Sequence, residues 1–528
     1  MDILFREVAL LRYPVAFLTM LWALPLTGQA PAARGGFIMQ LGADTVVVER
    51  FTQTGDSLSG TVSVRGQPRL EYHAVQGGDQ LIHAMTFRIF PLGASADAAP
   101  LQEVRATLRG DSAFIDVAGQ HRGYQTTAGA LPLLNNSFAL TELFTRYART
   151  HGDSVDIPGW SLSGGMTLTV AIRPLGADSM TLTVAGQLQR LRVDASGRIL
   201  GGSIPSAGIA IERVSAAAAA QLELGRPDYS APPGAPYTAT EVTLKTPGGV
   251  ILGGTLTMPS SATGPVPAVV TITGSGQQDR DEYIPVAGGY RLFRQVADTL
   301  GRRGIAVLRL DDRMVGASGG ALGTSADYAD DIRAALAWLR AQPVIDGDRL
   351  ALVGHSEGGL IAPMVAATDA RLRGAVLMAG PAETGAQILR FQQKQAIDGD
   401  TSIAATARDS MYQVARIATD SLAGLSPWLE FFIRHDPLAT ARRVTATPIL
   451  ILQGGTDHQI TPDQAPALEK VFKAAGNKDV TTRVFPGLNH LFLPDPSGLP
   501  SGYSTLTDNK VSPEVLGALA DWLVARLL

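Results

Sequence analysis

The sequence predicts an α/β protein: a mostly parallel sheet flanked by helices, with a β-rich domain ahead of it. Two observations carry that expectation. From about residue 240, short and wholly apolar runs alternate with amphipathic helical stretches, as in parallel strands buried on both faces and joined by right-handed crossovers. Before that point, alternating apolar and polar runs are separated by turn residues, as in antiparallel strands.

The 528 residues exceed one ordinary domain. Residues 1–30 read as a secretory signal peptide. Arg6 and Arg12 precede the apolar run Tyr13 to Leu26, and Gly28-Gln29-Ala30 before Pro31 has the small-x-small cleavage pattern. The run is short for a span of roughly 20 residues, and no other stretch is long and apolar enough to cross a membrane. The expectation is therefore an exported, periplasmic or extracellular protein with no stable membrane span after signal removal.

Residues 31–225 form the β-rich N-terminal domain. Strand-like runs cover Thr45 to Phe51, Gly60 to Val64, Leu81 to Phe90, Met166 to Ile172 and Met180 to Val193. Ser137 to Thr150 has apolar residues at helical spacing. The region is too short for a seven-bladed propeller at about 40–50 residues per blade. Residues 226–240, rich in Pro and turn residues, read as a linker.

Residues 241–528 read as a second domain, of alternating strands and helices. After a hairpin-like start, buried strands are expected at Ala268 to Thr273, Ile305 to Leu310, Leu350 to Val353, Gly374 to Met378 and Pro448 to Leu452. Helices are expected near 290–303, 325–341, 357–368, 462–475 and 513–527. Between Met378 and Pro448 lie about 70 residues, too many for a structureless loop. Their helical stretches predict an inserted lid at about 382–440, and Trp428, Phe431 and Phe432 are candidates to line an acyl pocket there. The alternative is that these helices only complete the outer layer.

Gly354-His355-Ser356-Glu357-Gly358-Gly359 follows an apolar strand and precedes a helix-compatible run. G-x-S-x-G at such a junction is a nucleophile elbow: small residues let the elements approach, and the hydroxyl stands at a helix N-terminus whose dipole favours an oxyanion. Gly316-Ala317-Ser318-Gly319-Gly320 matches the same pattern but follows a polar stretch and leads into more loop. Ser356 is therefore the predicted nucleophile. A serine hydroxyl needs a base, and the base needs a partner that fixes its tautomer. In the order serine, acid, histidine, Asp457 follows an apolar strand and His490 follows a strand-like run. Gly454 and Gly455 are expected to let the chain turn before the acid. His458 and His435 compete for the role of base, but the first is adjacent to Asp457 and the second is out of order. His355 is expected to pack beside the site. The oxyanion requires two N–H donors; Glu357 is expected to supply one, and the loop Thr273-Gly274-Ser275-Gly276-Gln277 the other, with Ser275 favoured and Gly276 or Gln277 as alternatives. Gln277 and His355 are further pocket candidates.

At these residues a resemblance becomes specific. Residues from about 240 to 528 resemble bacterial members of the α/β-hydrolase superfamily, in the carboxylesterase and dienelactone-hydrolase-like branch related to prolyl-oligopeptidase-type catalytic domains. That branch carries G-S-G-P-x-D-R-D, and this chain has Gly274-Ser275-Gly276-Gln277-Gln278-Asp279-Arg280-Asp281. It also carries D-x-R-G-x-G-x-S, and this chain has Asp311-Asp312-Arg313-Met314-Val315-Gly316-Ala317-Ser318. Gln277 stands in place of the usual Pro, Met314 in place of a Gly, and Thr273 in place of a His. The resemblance implies hydrolysis of small-molecule carboxylic esters through an acyl-enzyme, without a cofactor.

Other chemistry finds little support. The net charge is −4 and there is no Cys, which excludes thiolate sites and disulfides. A clustered basic face, the footprint of nucleic-acid binding, is not evident, and no metal-ligand spacing is present. Asp279 to Glu282 read as an ion-pair network shaping the oxyanion loop. Two other functions fit the same residues: a serine peptidase of the prolyl-oligopeptidase type, and a non-catalytic envelope binding protein. No propeller or amine-gripping acidic cluster is identifiable for the first, and the ordered triad argues against the second.

Overall fold

The computed structural model describes residues 32–528 apart from 43, 80, 93, 96, 118, 153, 162–166, 185–186, 225–226, 400–404, 423–426 and 507. The signal-peptide expectation lies outside the described residues.

Among the described residues, the N-terminal strands form one fifteen-stranded, almost entirely antiparallel meander, closed in the middle by pairing of Ala33–Leu41 with Ile209–Val214. The expected helix spans Phe138–His151, with the Ser137 side chain accepting from Leu140 N–H. One buried cluster joins its Leu140 and Phe144 to Tyr72 and Met85 on one half of the sheet and to Val170, Met180 and Leu191 on the other. The sheet thus curls over the helix. Glu49 sits at the helix start, fully buried, where it accepts from Ser137 Oγ at 2.6 Å, Tyr72 Oη at 2.7 Å, and the N–H groups of Phe138 at 2.7 Å and Ala139 at 3.0 Å. The carboxylate complements the positive end of the helix dipole and satisfies its free donors. The run read as one strand from Met180 to Val193 is a hairpin instead, Ser179–Val184 paired with Gln187–Val193.

The second sheet has eight strands. Its order is Tyr237–Lys245, Ile251–Pro259, Ala306–Leu310, Val266–Ile272, Ile345–His355, Gly374–Met378, Ile449–Gly454 and Val480–Phe485. Ile251–Pro259 runs antiparallel to both its neighbours, and every later pair is parallel. Helices Leu292–Gly301, Ser325–Arg340, Glu357–Ala366, Gln464–Ala474 and Pro513–Leu527 connect and flank the strands. Two buried clusters, one on each face, explain why the strands read as uninterrupted apolar runs.

The first strand begins at Tyr237, inside the segment read as linker, and that segment is pinned. Tyr229 donates to Asp279 at 3.0 Å, and the Arg280 guanidinium lies 4.2 Å from the Tyr229 ring centre. Between strands Gly374–Met378 and Ile449–Gly454 the chain forms helices Gly385–Gly399, Ala405–Leu422, Pro427–Arg434 and Pro437–Ala441.

Candidate active site

Strand Ile345–His355 ends at Ser356, whose backbone has φ 53° and ψ −117°, and helix Glu357–Ala366 starts at the next residue. The surrounding glycines are demanded by space. A Cβ on Gly354 would lie 2.1 Å from the Gly358 carbonyl oxygen, one on Gly358 2.1 Å from that of Ile272, and one on Gly359 2.6 Å from Gly380 Cα. Ser356 N–H donates to the Met378 carbonyl at 2.9 Å, which ties the strained turn to the adjacent strand. Among the described residues, six other than glycine have positive φ, and five of them, Glu282, Met314, Ser356, Ala379 and Phe492, fall on the segments that meet around this turn. Such strain persists only where surrounding packing holds it, and it collects at functional sites.

Asp457 and His490 come together across 33 residues of sequence. His490 Nδ1 is 2.8 Å from Asp457 Oδ2. The other carboxylate oxygen accepts from Gln459 N–H at 2.7 Å and Ile460 N–H at 2.9 Å, and Gln453 Nε2 adds a bond of 3.0 Å to Oδ2. Burial works to raise the carboxyl, but the charge and hydrogen bond of His490 and the two backbone donors outweigh it and hold Asp457 below its ordinary value. Gly454 and Gly455 open the expected turn before the acid, in which Asp457 N–H donates to the Gly454 carbonyl at 3.4 Å. Neither has positive φ, and a Cβ on Gly454 would sit 2.3 Å from the Asn489 carbonyl oxygen. Their smallness lets the acid's strand touch the histidine's loop. Asn489 braces that loop by accepting from Leu491 N–H at 2.9 Å and Leu493 N–H at 3.1 Å.

The loop after strand Val266–Ile272 approaches from the other side. A Cβ on Gly274 would lie 3.3 Å from Ser356 Cβ. Thr273 Oγ1 donates to Asp312 at 2.7 Å, and the other oxygen of Asp312 accepts from Gln278 N–H at 2.9 Å, so Asp312 holds both ends of the segment that contains Ser275, Gly276 and Gln277. Those three residues are exposed. Glu357 N–H belongs to the first helical turn, whose N–H groups have no acceptor within the helix. The ion-pair network is built on the next residues. Arg280 bonds Asp311 at 2.7 and 3.0 Å, Asp281 meets Arg309 and Arg291, and the backbone N–H of Tyr283 donates to Asp279.

Glu282 leaves that network and pairs with the elbow instead. His355 Nδ1 is 2.6 Å from Glu282 Oε1, and His355 Nε2 is 3.0 Å from the His490 carbonyl oxygen. The two imidazoles lie 4.8 Å apart. Glu282, Asp312, Asn489 and Gln453 were not singled out as site residues in the sequence. Asp312 and Glu282 sit in or beside the two quoted motifs, but no spacing shows that Glu282 contacts a residue 73 positions away.

The remaining candidates separate. Ser318 is buried, donates to the Asp311 carbonyl at 2.8 Å and accepts from Gly253 N–H at 2.9 Å; it is a structural bridge between two loops. His435 contacts Thr440 Oγ1 at 3.1 Å and stacks on Phe431. Phe432 is buried in a small cluster with Ile388 and Ile460, and Trp428 stacks on it at 5.4 Å. Trp428 Nε1 also donates to Glu357 Oε1 at 2.9 Å, so this helix reaches the residue after Ser356. Helix Gly385–Gly399 touches the acid's loop through Gln392 and Gln395, which donate to the carbonyls of Gln459 and His458, each at 3.3 Å.

Residues 287–497 match the family model Hydrolase_4, "Serine aminopeptidase, S33", a span that contains Ser356, Asp457 and His490. Esterase EstD of Thermotoga maritima is 29% identical over 282 residues, which are 52% of this chain. The chain spans 65% of the length of that relative. Among solved structures, the Pyrococcus furiosus esterase Pf2001 aligns with a TM-score of 0.40 and 17% identity, over 57% of this chain and 96% of its own. Est1E from Butyrivibrio proteoclasticus aligns with a TM-score of 0.36 and 16% identity, over 54% of this chain and 98% of its own.

Proposed function

We propose that this chain hydrolyses carboxylic esters through an acyl-enzyme on Ser356, a reading supported by the similarity of its C-terminal half to the Hydrolase_4 family model and to an esterase. The observation that carries the reading is the Asp457–His490 hydrogen bond at Nδ1, which leaves Nε2 as the nitrogen available to the nucleophile. Ser356 Oγ attacks the ester carbonyl as His490 Nε2 takes its proton. The tetrahedral oxyanion sits against the N–H groups of Glu357 and Ser275. It collapses as the C–O bond to the alcohol breaks and His490 gives that proton to the leaving oxygen. Water, deprotonated by the same histidine, then attacks the acyl carbonyl, and the acid leaves as Ser356 recovers its proton.

The experiment is fluorophosphonate labelling with a panel of p-nitrophenyl esters and aminoacyl and prolyl amides. Labelling at Ser356 with ester turnover is expected; a protein that is neither labelled nor active on esters overturns the reading. A peptidase is the second reading, favoured by the family model's description, and faster cleavage of the amides than of the esters selects it. The helices between 382 and 440 act in this proposal as a lid resting on the acid's loop. Export follows from the Arg-flanked apolar run before Ala30, with a mature N-terminus near Pro31. N-terminal sequencing of protein from its native host tests that, and intact Met1 rejects it. Among the described residues, no helix is long and apolar enough to cross a membrane.

A further inference from the structure

The N-terminal sheet carries an apolar surface that its own core does not cover. Strand register sets Leu70 beside Ile89, Phe87 beside Val104, and Val104 beside Val117. All five point to one side of the sheet, because side chains two apart in a strand share a face. Toward the helix Phe138–His151 the same face continues as buried core through Tyr72, Met85 and Ala106. Away from the helix Leu70, Ile89, Val104 and Val117 are only half-buried. The opposite face is ordinary polar surface, with Glu103 bonded to Arg88 at 2.8 Å and Arg105 at 2.7 Å. Residues left apolar on a partly open face, beside a polar one, mark a surface built to be covered.

What stands opposite is the catalytic half. The apolar face is one wall of a cleft of about 510 Å³, and Gln277, Met314 and Leu322 form the other. Gly316 N–H donates to the Gly66 carbonyl at 3.3 Å, which links the two walls directly. Gln277 lies on the loop whose Gly274 abuts Ser356, two residues beyond the proposed oxyanion donor Ser275. The cleft's wall at Gln277 therefore belongs to the same loop that packs against Ser356. Its volume falls in the range of about 300–1,000 Å³ typical of small-molecule sites, and its largely apolar lining, with a few polar side chains such as Gln102, Asn136 and Gln277, suits a hydrocarbon chain.

We propose that the N-terminal sheet is half of the substrate site, and that this cleft holds the alkyl chain of a medium- or long-chain ester whose carbonyl lies at Ser356. The proposal rests on the ester-hydrolase reading for the chemistry, but not for the binding. It assigns a role to the N-terminal β-rich region, and it locates chain recognition away from Trp428 and Phe432, which are engaged with Glu357 and with Ile388 and Ile460.

Two measurements test it on the full chain. The first is the chain-length profile of kcat/KM for p-nitrophenyl acetate, butyrate, octanoate and laurate, and in parallel for acetate esters of alcohols of rising length, so that acyl and alcohol occupancy are told apart. Burying each added methylene is worth about fourfold in kcat/KM until the cleft is filled. Val104→Asp and Leu322→Asp should flatten that rise in one of the two series, lowering kcat/KM for the longest ester at least tenfold more than for the shortest. Leu322 is 61% exposed, so its substitution keeps the test open if Val104→Asp fails to fold. The second is calorimetric binding of laurate and dodecanol to Ser356→Ala protein, where at least one should bind and Leu322→Asp should weaken it at least tenfold. Binding of this kind without any ester turnover rejects the esterase reading and keeps the cleft. Ester turnover with chain-length profiles unaltered by both substitutions, or by Leu322→Asp alone if Val104→Asp does not fold, overturns the cleft proposal.

Discussion

His355 Nδ1 and Glu282 Oε1 lie 2.6 Å apart, both buried, one on the nucleophile's elbow and the other at the end of the oxyanion-loop segment. Through its other nitrogen His355 reaches the His490 carbonyl. One imidazole thereby joins the three loops that carry Ser356, His490 and Ser275, the proposed nucleophile, base and oxyanion donor. Each bond persists only if the loops keep their spacing.

That pair makes stability depend on pH. Burial works against a charged His355, but the charge and hydrogen bond of Glu282 outweigh it and hold the group above 6.5. A folded-state value above the unfolded one contributes stability that is complete below the unfolded pKa of about 6.5 and is lost as pH rises through the folded value. Glu282→Gln should therefore be destabilised relative to the parent most strongly below about pH 6.5, with the gap narrowing as the pH rises above it. Urea denaturation across that range measures it, and a gap that widens with pH contradicts the assignment.

Asp457→Asn should keep the fold and lose about 10⁴-fold in turnover, because an amide no longer fixes the tautomer that leaves His490 Nε2 free. His490→Ala should be at least as damaging. His458→Ala should retain most activity. Steady-state kinetics with circular dichroism on the three variants tests the assignment, and a silent His458→Ala beside an active His490→Ala would falsify it.

The two G-x-S-x-G serines should part cleanly. Ser356→Ala should abolish labelling and cost about 10⁶-fold in turnover. Ser318→Ala removes one donor and one acceptor from the bridge between the Asp311 carbonyl and Gly253 N–H. It should cost about 1–3 kcal/mol of stability through the buried groups left unpaired, with kcat at moderate temperature largely retained.

Met314 has φ 64° where the resembling motif carries Gly. A non-glycine residue in this left-handed region costs about 1–2 kcal/mol. Met314→Gly should therefore be more stable than Met314→Ala, since both remove the side chain but only glycine relieves the backbone. Paired thermal melts decide this, and the usual order of Ala above Gly would show that the turn imposes no strain.

The aromatic helix of the insertion should answer to packing. Phe432→Ala removes a ring buried against Ile388 and Ile460 and should cost about 3–5 kcal/mol while leaving the acyl-length preference alone. Trp428→Phe keeps the stack on Phe432 but deletes the hydrogen bond to Glu357, at a cost of about 1 kcal/mol. A shifted acyl-length profile in Phe432→Ala, without loss of stability, would return the pocket to the insertion.

The sequence by itself determined the order and kind of elements in the catalytic half, and which serine, acid and histidine stand at strand ends. Those signals are local. A strand buried on both faces must be apolar throughout, as Leu350 to Val353 are, and an elbow whose neighbours approach within about 2 Å of a missing Cβ must be glycine, as Gly354 and Gly358 are. The run from Met180 to Val193 misled because only Ala185 and Gly186 separate its two strands, and the one sign of the break is that the buried positions change phase, from Met180 and Leu182 to Leu191 and Val193. Only the tertiary structure decided that Gly454 also makes a close approach to Asn489, that Glu282 belongs to His355, that Ser318 is a bridge, and that the apolar face around Val104 stands opposite Gln277, Met314 and Leu322. These are contacts between residues tens to hundreds of positions apart. Their partners are chosen by how the layers pack, and neither periodicity nor spacing along the chain encodes that choice.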